Sequence, residues 1–400
     1  MIVKVLPSNI AGMVSAPKSK SYTHRLSICN AFAGEKVDVK DFPRALDNAR
    51  TRDGIRALLA CERTPIIVNC GESGSTLRFL LPIACALGVN AIFNVEGRLT
   101  ERPLGALVDV LNAHGASVSN VAPYEVKGKI HSGVYEIDGG ISSQYITGLI
   151  FALSILDGDS EIIIKNVLES KPYVDITIDT LKRFGVIIKE TTNGYYVKGA
   201  QKYISPEVVE IEGDYSGAAN MLVAGALKGQ VEVSGLYHDS KQGDKAIVEV
   251  LKLAGANVQA TNSSVMVTRS ALNPIEYDCK NIPDIVPIIA SLCANIKGKS
   301  VLKNVERLRL KESDRLAAII DILTSVGVHA EYNGDLVIYG GEVVGGSVSG
   351  YNDHRMVMCA SVLGITSKNG VTISDAESIS KSYPEFFEDF ERLGAVVCRL

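Results

Sequence analysis

One phrase recurs along this chain: an amphipathic helix, a glycine, then a short β-forming run. It occupies residues 107–118 around Gly115, 178–188 around Gly185, 247–258 around Gly255, 319–328 around Gly327 and 387–397 around Gly394. The glycines stand about 70 residues apart, a longer interval than the usual solenoid periods. Glycine after the last helical turn supplies a left-handed C-cap, and the chain can then begin a strand. A weaker copy, residues 54–68, lacks the glycine and stops at Thr64-Pro65. Between copies lie alternating strands at 161–166, 230–234, 300–304 and 370–373. Each unit is therefore a mixed α/β module with helices on a sheet. Six such units divide into two lobes of three, with the crossover near Ile211-Glu212-Gly213-Asp214-Tyr215-Ser216. A cleft between two lobes is a preferred place for a small-molecule site.

Charge narrows what such a site could take. A net charge of −4 argues against general nucleic-acid binding, which needs a broad basic face. Local basic clusters in a mildly acidic chain suggest small anionic ligands instead. The eight cysteines form no CxxC pair and no Cys/His ligand spacing, so no zinc site is expected. Most sit in apolar stretches, as core thiols do in a reducing compartment. The start of the chain reads as a strand (2–6), not as a signal peptide. The longest apolar stretch, 79–93, is interrupted by Pro82, Gly88 and Asn90 and falls short of the ~18 residues of a membrane span. The expectation is a cytoplasmic protein.

The chemistry-bearing residues lie in short clusters, nearly all at helix entries. Arg309-Leu310-Lys311-Glu312-Ser313-Asp314-Arg315 packs three cations and two carboxylates just before an apolar helical pattern. Read alone it is a solvated helix start capped by Ser313 or Asp314. Lys18-Ser19-Lys20-Ser21 with Arg25 offers hydroxyls and charge at another helix start, where a carboxylate or phosphate can bind. Cys70-Gly71-Glu72-Ser73-Gly74-Ser75-Thr76-Leu77-Arg78 is a small-residue turn that lets a ligand approach the backbone. It is not a P-loop, because no Lys-Ser/Thr follows at the required spacing. Glu101-Arg102-Pro103 aims a guanidinium at a first helical turn. Ser142-Ser143-Gln144, Ser170-Lys171-Pro172-Tyr173, Pro283-Asp284, Asn352-Asp353-His354-Arg355 and Ser380-Lys381 complete the set. Each is compatible with plain helix capping. Together, six units aiming such starts into one cleft would make a site for two polyanions.

Taken in order, these motifs resemble those of the EPSP synthase family of enolpyruvyl transferases: SKSxxxR, the Gly-rich turn ending in Arg78, ERP, SSQ, SKPYxD, IPD, KESDR, NDHRMxM and KSxP, from Lys18 to Pro384. The resemblance implies a two-lobed, inside-out barrel-like α/β fold of six βαβαββ units. The N-terminal lobe would span 18–212, and the C-terminal lobe 1–17 with 213–400. It implies that Lys20, Ser21, Arg25, Ser142, Ser143, Gln144, Ser170, Tyr173, Asp284 and Lys311 bind shikimate 3-phosphate. Lys20, Gly74, Arg102, Gln144, Arg315, Arg355 and Lys381 would bind phosphoenolpyruvate. Asp284 and Glu312 would move protons, with Lys20 between the two substrates. No cofactor or metal is implied, and the expected form is a monomer.

Two other readings compete. A sister transferase acts on UDP-N-acetylglucosamine, but its active-site loop carries a cysteine that residues 97–102 lack. A non-catalytic phosphometabolite sensor would need neither Asp284 nor Glu312. The chain also departs from the family pattern. Glu72-Ser73-Gly74-Ser75 replaces the common Asn-Ala-Gly-Thr, and a carboxylate at 72 facing the site would oppose an anionic donor. Asn48-Ala49-Arg50-Thr51 replaces Ser-Asp-Asp-Thr, and Arg307 replaces a common asparagine.

Overall fold

A computed structural model describes residues 1–35, 42–62 and 64–400. Arg63, inside the weak copy of the repeated phrase, lies outside the described residues. The chain opens with β1 (Val3–Leu6) and β2 (Ile10–Ser15), followed by α1 (Lys20–Phe32) and α2 (Leu46–Ala60). Next come β3 (Ile66–Gly71), α3 (Gly74–Leu87), β4 (Ala91–Val95), α4 (Gly105–Ala113), β5 (Ala116–Val118) and β6 (Tyr124–Gly128). The same order returns as β7 (Val134–Asp138), α5 (Ser143–Ser154), β8 (Ser160–Lys165), α6 (Lys171–Arg183), β9 (Ile188–Thr191) and β10 (Gly194–Val197). The second half begins with α7 (Tyr215–Lys228), β11 (Gly229–Ser234), α8 (Ile247–Leu253), β12 (Asn257–Ala260) and β13 (Ser264–Thr268). It continues through β14 (Glu276–Asp278), α9 (Val286–Ala294), β15 (Gly298–Lys303), α10 (Arg315–Ser325), β16 (His329–Tyr332) and β17 (Leu336–Gly340). It ends with β18 (Gly346–Val348), α11 (His354–Thr366), β19 (Val371–Ile373), α12 (Phe386–Arg392) and β20 (Val396–Arg399).

These strands make five four-stranded sheets among the described residues, all of one plan. Two parallel strands flank a helix, as in β3 and β4 with Ile67 opposite Ile92. An antiparallel pair completes the sheet, as in β6 and β5. Two sheets take a strand from the start of the chain. β2 lies parallel to β11 with Val14 opposite Val233, and β1 sits between β19 and β20. Residues Met1–Ser19 accordingly group with Glu212–Leu400 in one compact unit, and Lys20–Ile211 form another.

The repeated phrase has one structural meaning: it joins the second helix of a sheet to that sheet's edge strand. This holds for α4–β5, α6–β9, α8–β12, α10–β16 and α12–β20. All five glycines take positive φ, between 76° at Gly185 and 109° at Gly394, the conformation that glycine alone adopts without strain. The weak copy differs. There α2 ends at left-handed Cys61, and the next strand is β3, which opens the following sheet. In the sixth place α1 packs on α2, and no four-stranded sheet is assigned to them among the described residues. A helix-to-strand step alone cannot tell which strand of a sheet it enters.

Helices α3, α5, α7, α9 and α11 are apolar on nearly every face and buried accordingly. In the unit of 1–19 and 212–400, α7, α9 and α11 pack on one another; in the unit of 20–211, α3 packs on α5. Strands such as β11 and β17 add apolar residues to the same cores. The consequence for function is directional. Each sheet holds one parallel pair of strands, so the turns that leave those two strands emerge at the same end of the sheet. The helix N-termini, and the clusters they carry, are gathered there by topology.

Candidate active site

In the unit of residues 20–211 the clusters lie at the starts of α1, α2, α3, α5 and α6. Lys20 opens α1, and its ammonium lies 3.1 Å from the Asp47 carboxylate in the first turn of α2. Both side chains are about five-sixths buried (17% and 16% exposed). Asn48 donates to the Lys20 carbonyl at 3.0 Å, fixing the two helix starts together. A buried hydroxyl chain backs them: His24 Nδ1 meets Thr51 Oγ1 at 2.7 Å, Thr51 meets Thr76 at 2.6 Å, and Thr76 donates to Ser73 Oγ at 2.7 Å. Ser73 also caps α3 by accepting from Thr76 N. Burial, with the charges of Lys20 and Arg25, holds the His24 imidazole well below its usual range, so it is neutral.

Arg25 is buried and braced. Nε donates to Thr177 Oγ1 at 2.7 Å, Nη1 to the Ser21 carbonyl at 2.7 Å and Nη2 to the Tyr173 carbonyl at 2.8 Å. Burial lowers its pKa to about 10. Ser142 caps α5 by accepting from Gln144 N at 3.3 Å, and Ser143 follows it. Gln144 is held from both ends, accepting from Arg78 Nη1 at 2.7 Å and donating to Ser75 Oγ at 2.9 Å. Ser170 precedes α6 in a left-handed conformation with φ 57°. Gly74 begins α3 directly beneath a guanidinium: a Cβ there would lie 2.8 Å from Arg102 Nη1 and 3.1 Å from Arg78 Nη1.

In the unit of 1–19 and 212–400 the charges form one hub. Arg315, wholly buried, donates to Asp353 from Nε at 2.8 Å, to Asp284 from Nη1 at 3.0 Å and to Glu312 from Nη2 at 2.6 Å. Asp284 also takes Arg355 Nη2 at 3.0 Å and faces Lys311 Nζ at 3.4 Å. Asp353 caps α11 by accepting from Arg355 N. Three carboxylates and three cations thus share a small, partly exposed volume centred on the buried Arg315 and Asp353. Burial pulls Lys311 down to about 8, with Asp284 opposing and Arg315 and Arg307 adding to the fall. The Lys381 ammonium donates to the Asn352 carbonyl at 2.6 Å. The helix cap left open between Ser313 and Asp314 is Asp314, which accepts from Ala317 N at 3.0 Å. Ser313 instead donates to Asp353 at 3.0 Å.

Three residues at these sites gain their roles only from the structure. Asp47 carries no motif signal beyond a carboxylate in a first helical turn. It gives Lys20 an acidic partner although Ala49 and Arg50 stand where acids are common. Asp353 belongs to the Asn352-Asp353-His354-Arg355 cluster, whose sequence gives it no role of its own. Asp244 is buried beside the hub, takes the Ser216 hydroxyl, and is pushed up to about 7 by burial and by the Asp284 charge, against Arg355. Among the described residues no group of three His, Cys, Asp or Glu could hold a metal ion, and no helix is long and apolar enough to cross a membrane.

The fold is that of the enolpyruvyl transferases. It matches EPSP synthase from Acinetobacter baumannii with a TM-score of 0.80 over all of both chains at 22% identity. It also matches the enolpyruvyl transferase NikO from Streptomyces tendae with a TM-score of 0.78 over 99% of this chain and 98% of that one, at 16% identity. Sequence narrows the class: the chain belongs to the EPSP synthase (3-phosphoshikimate 1-carboxyvinyltransferase) family, whose sequence model matches residues 5–390. Proteins named 3-phosphoshikimate 1-carboxyvinyltransferase from Clostridium novyi and Clostridium kluyveri are 36% and 37% identical to it, over 99% of this chain and 98% of theirs. The one from Methanococcus maripaludis is 36% identical over 99% of both chains.

Proposed function

We propose that the two sets of residues serve one reaction. The chain transfers the enolpyruvyl group of phosphoenolpyruvate to the 5-hydroxyl of shikimate 3-phosphate, releasing phosphate, in the shikimate route to aromatic amino acids. The observation that carries the residue-level reading is the pair of carboxylates, Asp284 and Glu312, fixed on the single guanidinium of Arg315 at 3.0 and 2.6 Å. Two acid–base groups held at fixed positions are what an addition–elimination needs.

In this reading Glu312 protonates the methylene carbon of phosphoenolpyruvate, and positive character develops on the central carbon. The 5-hydroxyl oxygen attacks that carbon while Asp284 takes its proton. The tetrahedral intermediate then loses phosphate by cleavage of its carbon–oxygen bond, and a proton leaves the methyl group to restore the double bond. The unit of 20–211 holds mainly shikimate 3-phosphate, its phosphate on Ser142, Ser143 and Ser170 with Lys311 assisting. Ser21 and the remaining Nη1 proton of Arg25 take the carboxylate, with Gln144 and Tyr173 along the ring. Gly74, Arg102, Gln144, Arg355 and Lys381 are assigned to the donor. Arg315 acts chiefly by holding the carboxylates, since its three nitrogens are already engaged by protein. Preorganised cations facing four anionic groups supply most of the stabilisation. We further take the protein to act as a cytoplasmic monomer. Eight free cysteines, six of them buried, suit a reducing compartment.

Replacing Glu312 by Gln keeps an acceptor for Arg315 and removes the acid. Turnover is expected to fall about 10²–10⁴-fold, while shikimate 3-phosphate binding, read by calorimetry, stays near wild type. A parallel loss of binding would make Glu312 an anchor for Arg315 only. Replacing Gly74 by Ala forces Arg102 from its place. The KM for phosphoenolpyruvate is expected to rise about tenfold or more, with the KM for shikimate 3-phosphate little changed. An unchanged donor KM would remove Gly74 and Arg102 from the donor site.

A further inference from the structure

The turn that carries Gly74 and the loop that carries Arg102 touch at two points, and only one of them belongs to the donor site. At one point the Arg102 guanidinium lies over Gly74. At the other, two residues earlier in the turn, the Glu72 side chain lies over Gly97. A Cβ at Gly97 would fall 2.3 Å from Glu72 Oε1 and 2.8 Å from its Cδ. Gly97 is also left-handed, with φ 54°, so both its backbone and its bare Cα are needed for the carboxylate to rest there. The backbones are already joined behind this contact: Glu96 N donates to the Gly71 carbonyl at 2.8 Å. At the far end of the loop the Pro103 carbonyl accepts from Arg78 Nη2 at 3.0 Å and from the Tyr145 hydroxyl. The loop of 97–103 is therefore fastened at Pro103, next to Arg102, and at Gly97, where Glu72 rests.

We propose that Glu72 is a positioning residue for Arg102: its carboxylate is turned onto the Gly97 turn and holds the 97–103 loop, and does not face the donor anion. A carboxylate near an anion site has two possible effects of opposite sign. If its charge reached the donor, removing it would tighten donor binding. If it holds the loop, removing it lets Arg102 drift and weakens donor binding, because a misplaced clamp loses affinity and rate. The contact geometry favours the second. The inference rests on the donor site assigned above, so its test has an arm that does not use activity.

The experiment compares Glu72→Ala and Glu72→Gln with wild type in two measurements. The first is steady-state phosphate release with phosphoenolpyruvate and shikimate 3-phosphate varied separately. The second is amide hydrogen exchange of residues 96–102 in the ligand-free protein. Glu72→Ala is expected to raise the donor KM about tenfold and leave the shikimate 3-phosphate KM within about twofold. Exchange at 96–102 should rise, with the unfolding temperature nearly unchanged. Glu72→Gln keeps the length and an acceptor oxygen, so it should recover most of both properties. A lower donor KM in both variants would overturn the proposal and show that the charge opposes the donor. Unchanged exchange in Glu72→Ala would overturn it as well. Should wild type release no phosphate, the functional reading fails, and the exchange arm still decides whether Glu72 holds the loop.

Discussion

Arg315→Met is expected to leave no measurable turnover and a markedly less stable protein. The wild-type guanidinium is fully buried and shared by Asp284, Glu312 and Asp353. Removing it leaves Asp353, itself wholly buried, without its closest cation. Loss of one partner from a buried ion pair costs about 3–5 kcal/mol, a large part of the ~5–15 kcal/mol that holds a typical domain folded. The loss should depend on pH with a definite sign. In the wild type, burial is the largest single influence and would raise the Asp353 carboxyl, but the charge and hydrogen bond of Arg315, together with His354, hold the group below its usual range against Glu312. Its stabilising contribution is present above the ordinary carboxylate pKa and disappears as pH falls through the lowered one. In Arg315→Met burial acts unopposed by that charge, so the buried carboxylate is most costly near neutral pH and less so in acid. The difference in unfolding free energy between the two proteins, read by urea titration, should therefore be larger near neutral pH than near about pH 4. Arg315→Lys keeps the charge but not the planar fork. It should recover much of the stability and still lose about 10²-fold in turnover. Full activity in Arg315→Lys would mean that the geometry of the hub is not needed for catalysis.

Lys20→Ala should do the opposite: a near-total loss of activity with little loss of fold. Its ammonium meets the Asp47 carboxylate at 3.1 Å, while its backbone carbonyl remains tied to Asn48. The α1–α2 junction therefore survives the substitution. What is lost is a cation in a partly desolvated place assigned between two anionic substrates. A preorganised charge at such a place is worth about 10²–10³-fold or more in rate. The measurement is kcat/KM for each substrate together with the unfolding temperature. Near-normal turnover in Lys20→Ala would remove the residue from the site.

Much of this arrangement is legible in the sequence alone. Helix starts can be read because capping and anion binding ask for the same residues. Ser73 and Ser142 do cap their helices, and Gly115, Gly185, Gly255, Gly327 and Gly394 mark five helix ends by a backbone conformation that other residues resist. What stayed hidden was pairing across long separations. Nothing local distinguishes Asp47 from any first-turn carboxylate, yet it meets Lys20 across 27 residues. Likewise Arg315 and Asp353 meet across 38 residues. The likeness of motifs placed both Arg25 and Arg315 on substrate, whereas their donors are largely engaged by protein. A motif records that a guanidinium is required without saying how many of its five donors the fold keeps. Glu72 is the converse: a departure that reads as a charge in the wrong place is turned onto Gly97.

The most direct test of the central claim is phosphate release from phosphoenolpyruvate, measured in parallel with shikimate 3-phosphate and with UDP-N-acetylglucosamine as acceptor. Release with shikimate 3-phosphate alone is the predicted result. Release only with the nucleotide sugar would contradict the account and assign the sister activity. Binding of shikimate 3-phosphate without release would contradict it too, and would leave Asp284 and Glu312 as parts of a sensor.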